Sequence, residues 1–296
     1  MAHRKRTILM YSRSRGGKTT LVDELAQHLK ITTGKKSLVY SIDKGGIGPL
    51  VPGIELGYID LVEPGETTNP WIFMNKASTG QVRDANGKWV KADLTQYAMI
   101  AHESITGYAD AFMNDLALQA AQGVNIGGAA NIGFTVSSEG ESMKIGGNNM
   151  GHYNVVQMRL LDEIWRSQKL NVPYLVWTAS ASRDDDPNAS GKVIGPEAAG
   201  KKLTSELPRH FDLTFRLDCT PAQQGKGEEH ILYLGNSVDL SSGGAVGLGN
   251  TRVPMGAKEL PASIKPASLV KALELIEGAE QEAKEVIRKR IEGGKK

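Results

Sequence analysis

Apolar positions along the chain fall into two kinds of spacing. Short apolar runs at 7–11 (TILMY), 37–43 (SLVYSID), 57–62 (GYIDLV), 97–101 (YAMIA) and 172–178 (VPYLVWT) read as buried strands. Between the first two, residues 18–30 place Leu21, Val22, Leu25, Ala26 and Leu29 at helical spacing, and Gly34 supplies the stop. Residues 105–122 are helical by period, and 153–169 set Val156, Leu160, Leu161 and Ile164 on one side. Late strands are expected at 211–217 and 230–234, and a charged helix at 268–292. Strand, glycine-bearing turn, helix, strand is the opening of a parallel α/β sheet.

Four stretches break the pattern. Residues 81–90 predict a hairpin on the two-residue turn Asn86-Gly87, inside an insertion at about 78–92. Residues 123–151 hold eight glycines among many Asn and Ser residues, and predict a mobile functional loop. A polar loop is expected at 180–192, and a second glycine-rich loop at 241–250. The expected organisation is one α/β domain over 1–265, with a mostly parallel central sheet flanked by helices, followed by a charged C-terminal helix over 266–296.

Composition adds little and excludes some classes. With 296 residues, 40% hydrophobic and 23% charged, the chain can bury a substantial core. A net charge of +2 gives no global argument for nucleic acid. The local clusters His3-Arg4-Lys5-Arg6, Arg13 with Arg15, and Lys35-Lys36 fit a solvated face as well as a phosphate-binding one. The single cysteine, Cys219, makes no intrachain disulfide and belongs to no metal pattern, which fits a reducing compartment. No apolar run reaches the ~20 residues that span a bilayer. A cytoplasmic protein without a membrane partner is expected, in a bacterial host if phage-encoded.

The chemistry is concentrated between the first strand and the first helix. Residues 12–19, Ser12-Arg13-Ser14-Arg15-Gly16-Gly17-Lys18-Thr19, match the phosphate-binding-loop pattern G-x-x-x-x-G-K-[ST] except that Ser12 replaces the first glycine. Small residues let backbone N–H groups face phosphate oxygens, and the following helix adds its N-terminal dipole. Lys18 is the expected β/γ-phosphate contact and Thr19 the magnesium ligand, with Thr20 closing the loop. Ser12 should carry a penalty if its position needs positive φ. ATP with Mg2+ is the implied ligand pair.

Such a site needs a carboxylate at a neighbouring strand end. Two are available: Glu103 after YAMIAH, as the magnesium-holding acid, and Asp43 after SLVYSI, as metal ligand or as the group that positions water. His102 reads as a structural neighbour of Glu103. Thr178 and Ser180 end the 172–178 strand, where a γ-phosphate sensor would lie, although either residue can simply terminate a strand.

With these motifs in place the chain resembles the RecA-like P-loop ATPases of the phage AAA-domain group, single-strand annealing and recombination ATPases related to the RecA/RadA core. The likeness is carried by 12–20, Glu103-Ser104, VPYLVWTAS and the run VIGPEAAGKKLTSELPRHFDLTFRL, over about 6–275. It implies a RecA-like fold, self-association into a ring or filament, and action on single-stranded DNA, with a single-strand-binding protein as a further partner. It also implies DNA contacts from the loops at 123–151 and 180–192, with Lys144, Arg183 and Lys192 on phosphates and Phe134 or His152 stacking bases. The run Asp184–Asp186 opposes such contact. Arg252, after a glycine-rich loop, matches the place from which a basic residue enters a neighbour's ATP site. One departure stands out: no Glu follows Asp43, so Asp43 or Glu103 takes that role, or hydrolysis is slow. A packaging or assembly motor, and a nucleotide-binding scaffold with little turnover, are the alternatives.

Overall fold

The computed structural model describes residues 5–43, 45–121, 131–138, 141–148, 152–183, 193–198, 201–220, 229–235, 237–239, 245–247, 250–251 and 259–293. The first half of the chain runs β1 (Arg6–Ser12), α1 (Lys18–Thr33), β2 (Lys36–Ser41), α2 (Val51–Glu55), β3 (Ile59–Val62), α3 (Pro70–Ser78), β4 (Gln81–Arg83), β5 (Trp89–Lys91), β6 (Tyr97–Glu103) and α4 (Ile105–Ala121). Then come β7 (Asn131–Ser138), β8 (Glu141–Asn148), α5 (His152–Ser167), β9 (Tyr174–Arg183), β10 (Val193–Pro196), α6 (Lys201–Glu206) and β11 (Leu213–Thr220). The chain closes with β12 (Glu229–Tyr233), β13 (Ser237–Asp239), β14 (Ala245–Gly247), β15 (Asn250–Thr251), β16 (Ser263–Ile264) and α7 (Leu269–Gly293).

The expected α/β architecture is present. Strands β3, β2, β6, β9, β1 and β11 lie side by side in that order and pair in parallel. Antiparallel β12 and β16 extend the sheet beyond β11. Alternation within β1 shows why both faces need cover: Leu9 and Tyr11 join one core, Ile8 and Met10 the other. Helices α3, α4 and α5 pack on the first face through Trp71, Phe112 and Leu160, among others. Helices α1 and α7 pack on the second through Leu25 and Ile276. Trp71 stacks on Phe112 with ring centroids 3.9 Å apart.

Helix α7 is more than a solvated surface helix. Its first half buries Leu269, Ala272 and Ile276, while Ile287 and Ile291 further along are exposed. A buried bidentate ion pair joins Arg6 of β1 to Glu280, with N···O distances of 2.8 and 2.5 Å. Glu24 of α1 caps the start of α7, accepting from Leu269 N at 2.9 Å and from Ser268 Oγ at 2.6 Å. Ser268 Oγ in turn accepts from Lys271 N at 3.1 Å. Ser268→Ala removes both contacts and is expected to cost about 1 kcal/mol in urea unfolding. An unchanged midpoint would show that Glu24 alone holds the helix start.

Several expectations are corrected. The 81–90 hairpin exists, but β4 and β5 pair at Arg83 and Trp89, so its connection covers 84–88 rather than two residues. Asp84 Oδ1 accepts from Asn86 N and Lys88 N, both at 2.9 Å, and builds the wider turn. Within the loop expected at 123–151, β7 and β8 form an antiparallel hairpin that pairs Phe134 with Ile145 and Thr135 with Lys144. Glycines interleaved with Ile, Phe and Val hid its alternation. The polar loop expected from 180 starts later, because β9 runs to Arg183. Helix α3 falls where no element was assigned, although Asn69 caps it, accepting from Trp71 N, and Pro70 sits in its first turn.

Candidate functional site

The parallel strands bring their carboxyl ends to one edge, where a ligand cleft is expected in an open α/β sheet. Here β1 delivers the 12–19 loop, β6 delivers Glu103 as its last residue, and β2 ends just before Asp43. Strand β9 lies between β1 and β6, with Thr178 opposite Met10 and Ser180 opposite Ser12. A cavity of about 680 Å3 opens there, lined by the 14–20 stretch, Asp43, Gly45, Gly46, Glu103, Ser104 and Ser180.

The loop has a compact geometry. Gly16 N donates to Arg13 O at 3.1 Å, closing a tight turn. Arg15 takes φ 61 and Gly17 φ 92, both in the left-handed region. This corrects the expectation for Ser12, which is the last residue of an extended strand and carries no positive-φ penalty. The strain falls on Arg15 instead, a cost of order 1 kcal/mol for a side chain other than glycine. Ser12 sits beneath the loop, its hydroxyl donating to Arg13 O at 2.8 Å.

Ser12 also explains why position 16 must be glycine. A Cβ on Gly16 would collide with Ser12 Oγ and lie 2.7 Å from Ser12 Cβ. Because Cβ is involved, rotating the hydroxyl gives no relief. Gly16→Ala is therefore expected to cost roughly 1–3 kcal/mol of folding stability. Ser12→Gly should restore part of that loss in the double variant, since Arg13 O at 3.0 Å remains close. Additive losses in urea unfolding would sink this coupling.

Lys18 folds back over the loop, with Nζ 3.1 Å from Ser12 Oγ and 3.5 Å from both Ser12 O and Arg13 O. Burial lowers its pKa, while Glu103 and Asp43 pull it up. Across the cleft Thr19 Oγ1 donates to Glu103 Oε2 at 3.1 Å. Glu103 is almost wholly buried, and burial raises its pKa to about 7 against the opposing pull of Lys18 and Thr19. Its second oxygen, Oε1, and the hydroxyl of Thr178 are both buried and interact with each other, short of full hydrogen-bond geometry. The Thr19 hydroxyl and Glu103 carboxylate form the hard-oxygen set that magnesium takes, usually with several waters retained. Oε1, which makes no full hydrogen bond here, leaves acceptor capacity for them.

Asp43 is placed differently. Its Oδ2 accepts from Ser104 Oγ at 2.8 Å, and Ser104 Oγ accepts from Gly107 N at 3.0 Å. The carboxylate thus lies over the first turn of α4, against Gly107, where any Cβ would strike Oδ1. Ser180 N is held by Thr106 Oγ1 at 2.9 Å, fixing the end of β9 against α4.

His102 stacks between Trp177 and Tyr40, at centroid distances of 3.9 and 5.4 Å. Burial depresses its pKa to about 3, so it is neutral and packs beneath the site. The Gly195–Asp212 run is architectural too. Leu203, Leu207 and Phe211 join the core, and Asp212 Oδ2 accepts from Thr7 N at 3.0 Å and Thr7 Oγ1 at 2.8 Å.

The structure gathers Ser14 to Thr20, Asp43, Glu103 and Ser180 around one cavity, with Thr178 buried in the adjoining strand. Lys144 and Arg183 lie on β8 and at the end of β9, away from the loop in sequence. Lys192, Arg252 and Asp184–Asp186 fall outside the described residues. Ser104 and His230 are the additions that sequence reasoning missed as site residues. Ser104 was legible beside Glu103, but nothing local marked His230.

No protein-family model matches the chain, and no curated protein does. Among solved structures, the crystal structure of the RadB recombinase aligns with 77% of this chain and 80% of that chain, at 15% identity and a TM-score of 0.39. A likeness that weak decides nothing here, and the chemistry has to come from the cleft's own atoms. Among the described residues, no helix is long and apolar enough to cross a membrane.

Proposed function

We propose that this chain is a RecA-like P-loop ATPase that binds ATP with Mg2+ in the cleft at the carboxyl ends of β1, β6 and β9. The observation that carries the reading is the Thr19–Glu103 contact at 3.1 Å beside Lys18, on a loop that leads into the N-terminus of α1. In this reading the loop's main-chain N–H groups cradle the phosphates, and Lys18 leaves Ser12 to neutralise the β/γ-phosphates. Thr19 and Glu103 would hold the ion, which would supply charge neutralisation on the phosphate oxygens. The ionised Glu103 carboxylate is also suited to take a proton from an attacking water. Glu103 thereby fills the place left by the absent Glu after Asp43. Asp43 positions Ser104 and the start of α4 at the cavity wall, and Ser180 faces the terminal phosphate.

The biological setting proposed is recombination or annealing on single-stranded DNA, by a self-associating phage-type protein. The β7–β8 hairpin with Lys144, the end of β9 with Arg183, and Lys192 supply the DNA contacts, and Arg252 of a neighbouring copy completes the ATP site. The nucleotide-binding unit spans 1–265, with the C-terminal helix laid against it. Binding of a labelled single-stranded oligonucleotide, with ATP and magnesium at low salt, tests this setting. Affinity should fall steeply as salt rises. No binding at low salt would remove DNA from the proposal and leave the nucleotide site standing.

A further inference from the structure

Strand β12 lies two strands from β1 in the same sheet and brings His230 against the 12–19 loop. His230 Nδ1 lies 3.1 Å from Gly16 O, although 214 positions separate the two residues. A carbonyl oxygen only accepts, so Nδ1 carries the proton in this contact. The ring also stands 3.3 Å from where a Cβ on Gly17 would be, filling the space behind the loop's crest. On the other side of His230, its own carbonyl accepts from Ala267 N at 2.8 Å, one residue before the cap of α7.

From this arrangement we infer that His230 is a positioning residue for phosphate binding, which acts by fixing the Gly16–Gly17 peptide plane. This peptide is trans, since the cis bonds of the described chain are elsewhere. In a trans peptide the C=O and the N–H point in opposite directions. Holding Gly16 O against His230 therefore turns Gly17 N–H the other way, away from β12. Two glycines in succession leave this peptide free to flip, because neither has a side chain to favour one orientation. The imidazole removes that freedom before the ligand arrives, and preorganised donors bind anions more tightly than donors that must first be oriented. The inference rests on the nucleotide-binding reading above.

The test is the affinity of the full chain for ATP with magnesium, in wild type and four variants at His230. His230→Phe keeps a ring without the donor, and His230→Ala removes both. An Asn amide places its nitrogen where Nδ1 stood, whereas a Gln amide reaches toward the Nε2 position. His230→Phe and His230→Ala should bind ATP about tenfold more weakly, the scale of one lost orienting hydrogen bond. His230→Asn should return to within about threefold of wild type, with His230→Gln weaker than Asn. Thermal melting separates a positioning role from a structural one, since Asn and Gln should melt alike while their affinities differ. His230→Phe binding as tightly as wild type, or Asn no better than Gln, overturns the inference alone. Wild type that binds no ATP overturns the nucleotide reading and this inference with it.

Discussion

Glu103→Gln is expected to lower ATP turnover by about 10³-fold, within the range for loss of a positioned general base, while ATP still binds. Gln keeps the shape and an oxygen for Thr19, whose hydroxyl lies 3.1 Å from Oε2. It lacks the charge that magnesium uses and cannot take a proton. In wild type without magnesium, Glu103 titrates near pH 7, raised by burial from an ordinary value of 4.5. The active form is the ionised one, so turnover with magnesium should rise with pH through a midpoint below 7. Bound magnesium places positive charge beside the carboxylate and moves that midpoint down. Turnover that falls across the same interval would exclude Glu103 as the base.

The same shift has an opposite consequence for stability. A carboxyl group whose folded pKa lies above its unfolded value is costly in the folded chain once it ionises. That cost is absent below about 4.5, grows as pH rises, and is complete above about 7. At pH 8 it amounts to roughly 3 kcal/mol as an upper bound. Metal-free Glu103→Gln should therefore unfold later than wild type at pH 8, and the two should converge near pH 4. A variant less stable at pH 8 would show that Lys18 and Thr19 more than offset the burial of the charge.

Lys18→Ala should lower turnover by about 10²–10³-fold, the scale of removing one preorganised charge-stabilising donor, and should weaken ATP binding as well. Its ammonium has three acceptors in the ligand-free loop, all from Ser12 and Arg13, and none is left buried and charged when it goes. The Ser12 hydroxyl still has Arg13 O at 2.8 Å. Near pH 5, where Glu103 is protonated, stability should therefore stay within about 0.5 kcal/mol of wild type, with a larger loss at pH 8, where the ionised Glu103 has lost its nearby cation. Phosphate release and chemical unfolding, measured on one preparation, check both halves. Undiminished phosphate release would place the activity outside this cleft.

Much of the fold was legible because its signals are local. The β1–loop–α1 unit appears as an apolar run, a small-residue turn and a helical stripe of Leu21, Leu25 and Leu29, closed by Gly34 at φ 71. Helix α3 was equally local, with Asn69-Pro70 before an apolar run, but its unbroken Trp-Ile-Phe-Met hid the period. The β7–β8 hairpin was lost because glycine content suggested a loop, while cross-strand pairing depends on a partner strand that composition does not reveal. The Asn86-Gly87 turn gave way to Asp84, whose side chain gathers two amides and widens the connection.

The sequence by itself determined where the 12–19 loop lies and the groups it carries, since these residues are contiguous and bring backbone freedom, one cation and one hydroxyl together. It also determined that Glu103 and Asp43 stand at strand ends. Only the tertiary structure decided that β9 separates β1 from β6, which sets Glu103 against Thr19 across 84 positions and gives Asp43 to the cap of α4. It moved the backbone strain from Ser12 to Arg15, raised the pKa of Glu103, and brought His230 behind Gly16. Each of these depends on which strands become neighbours and how deeply a group is buried. Sheet order and burial arise from packing the whole chain, so no short stretch of residues encodes them.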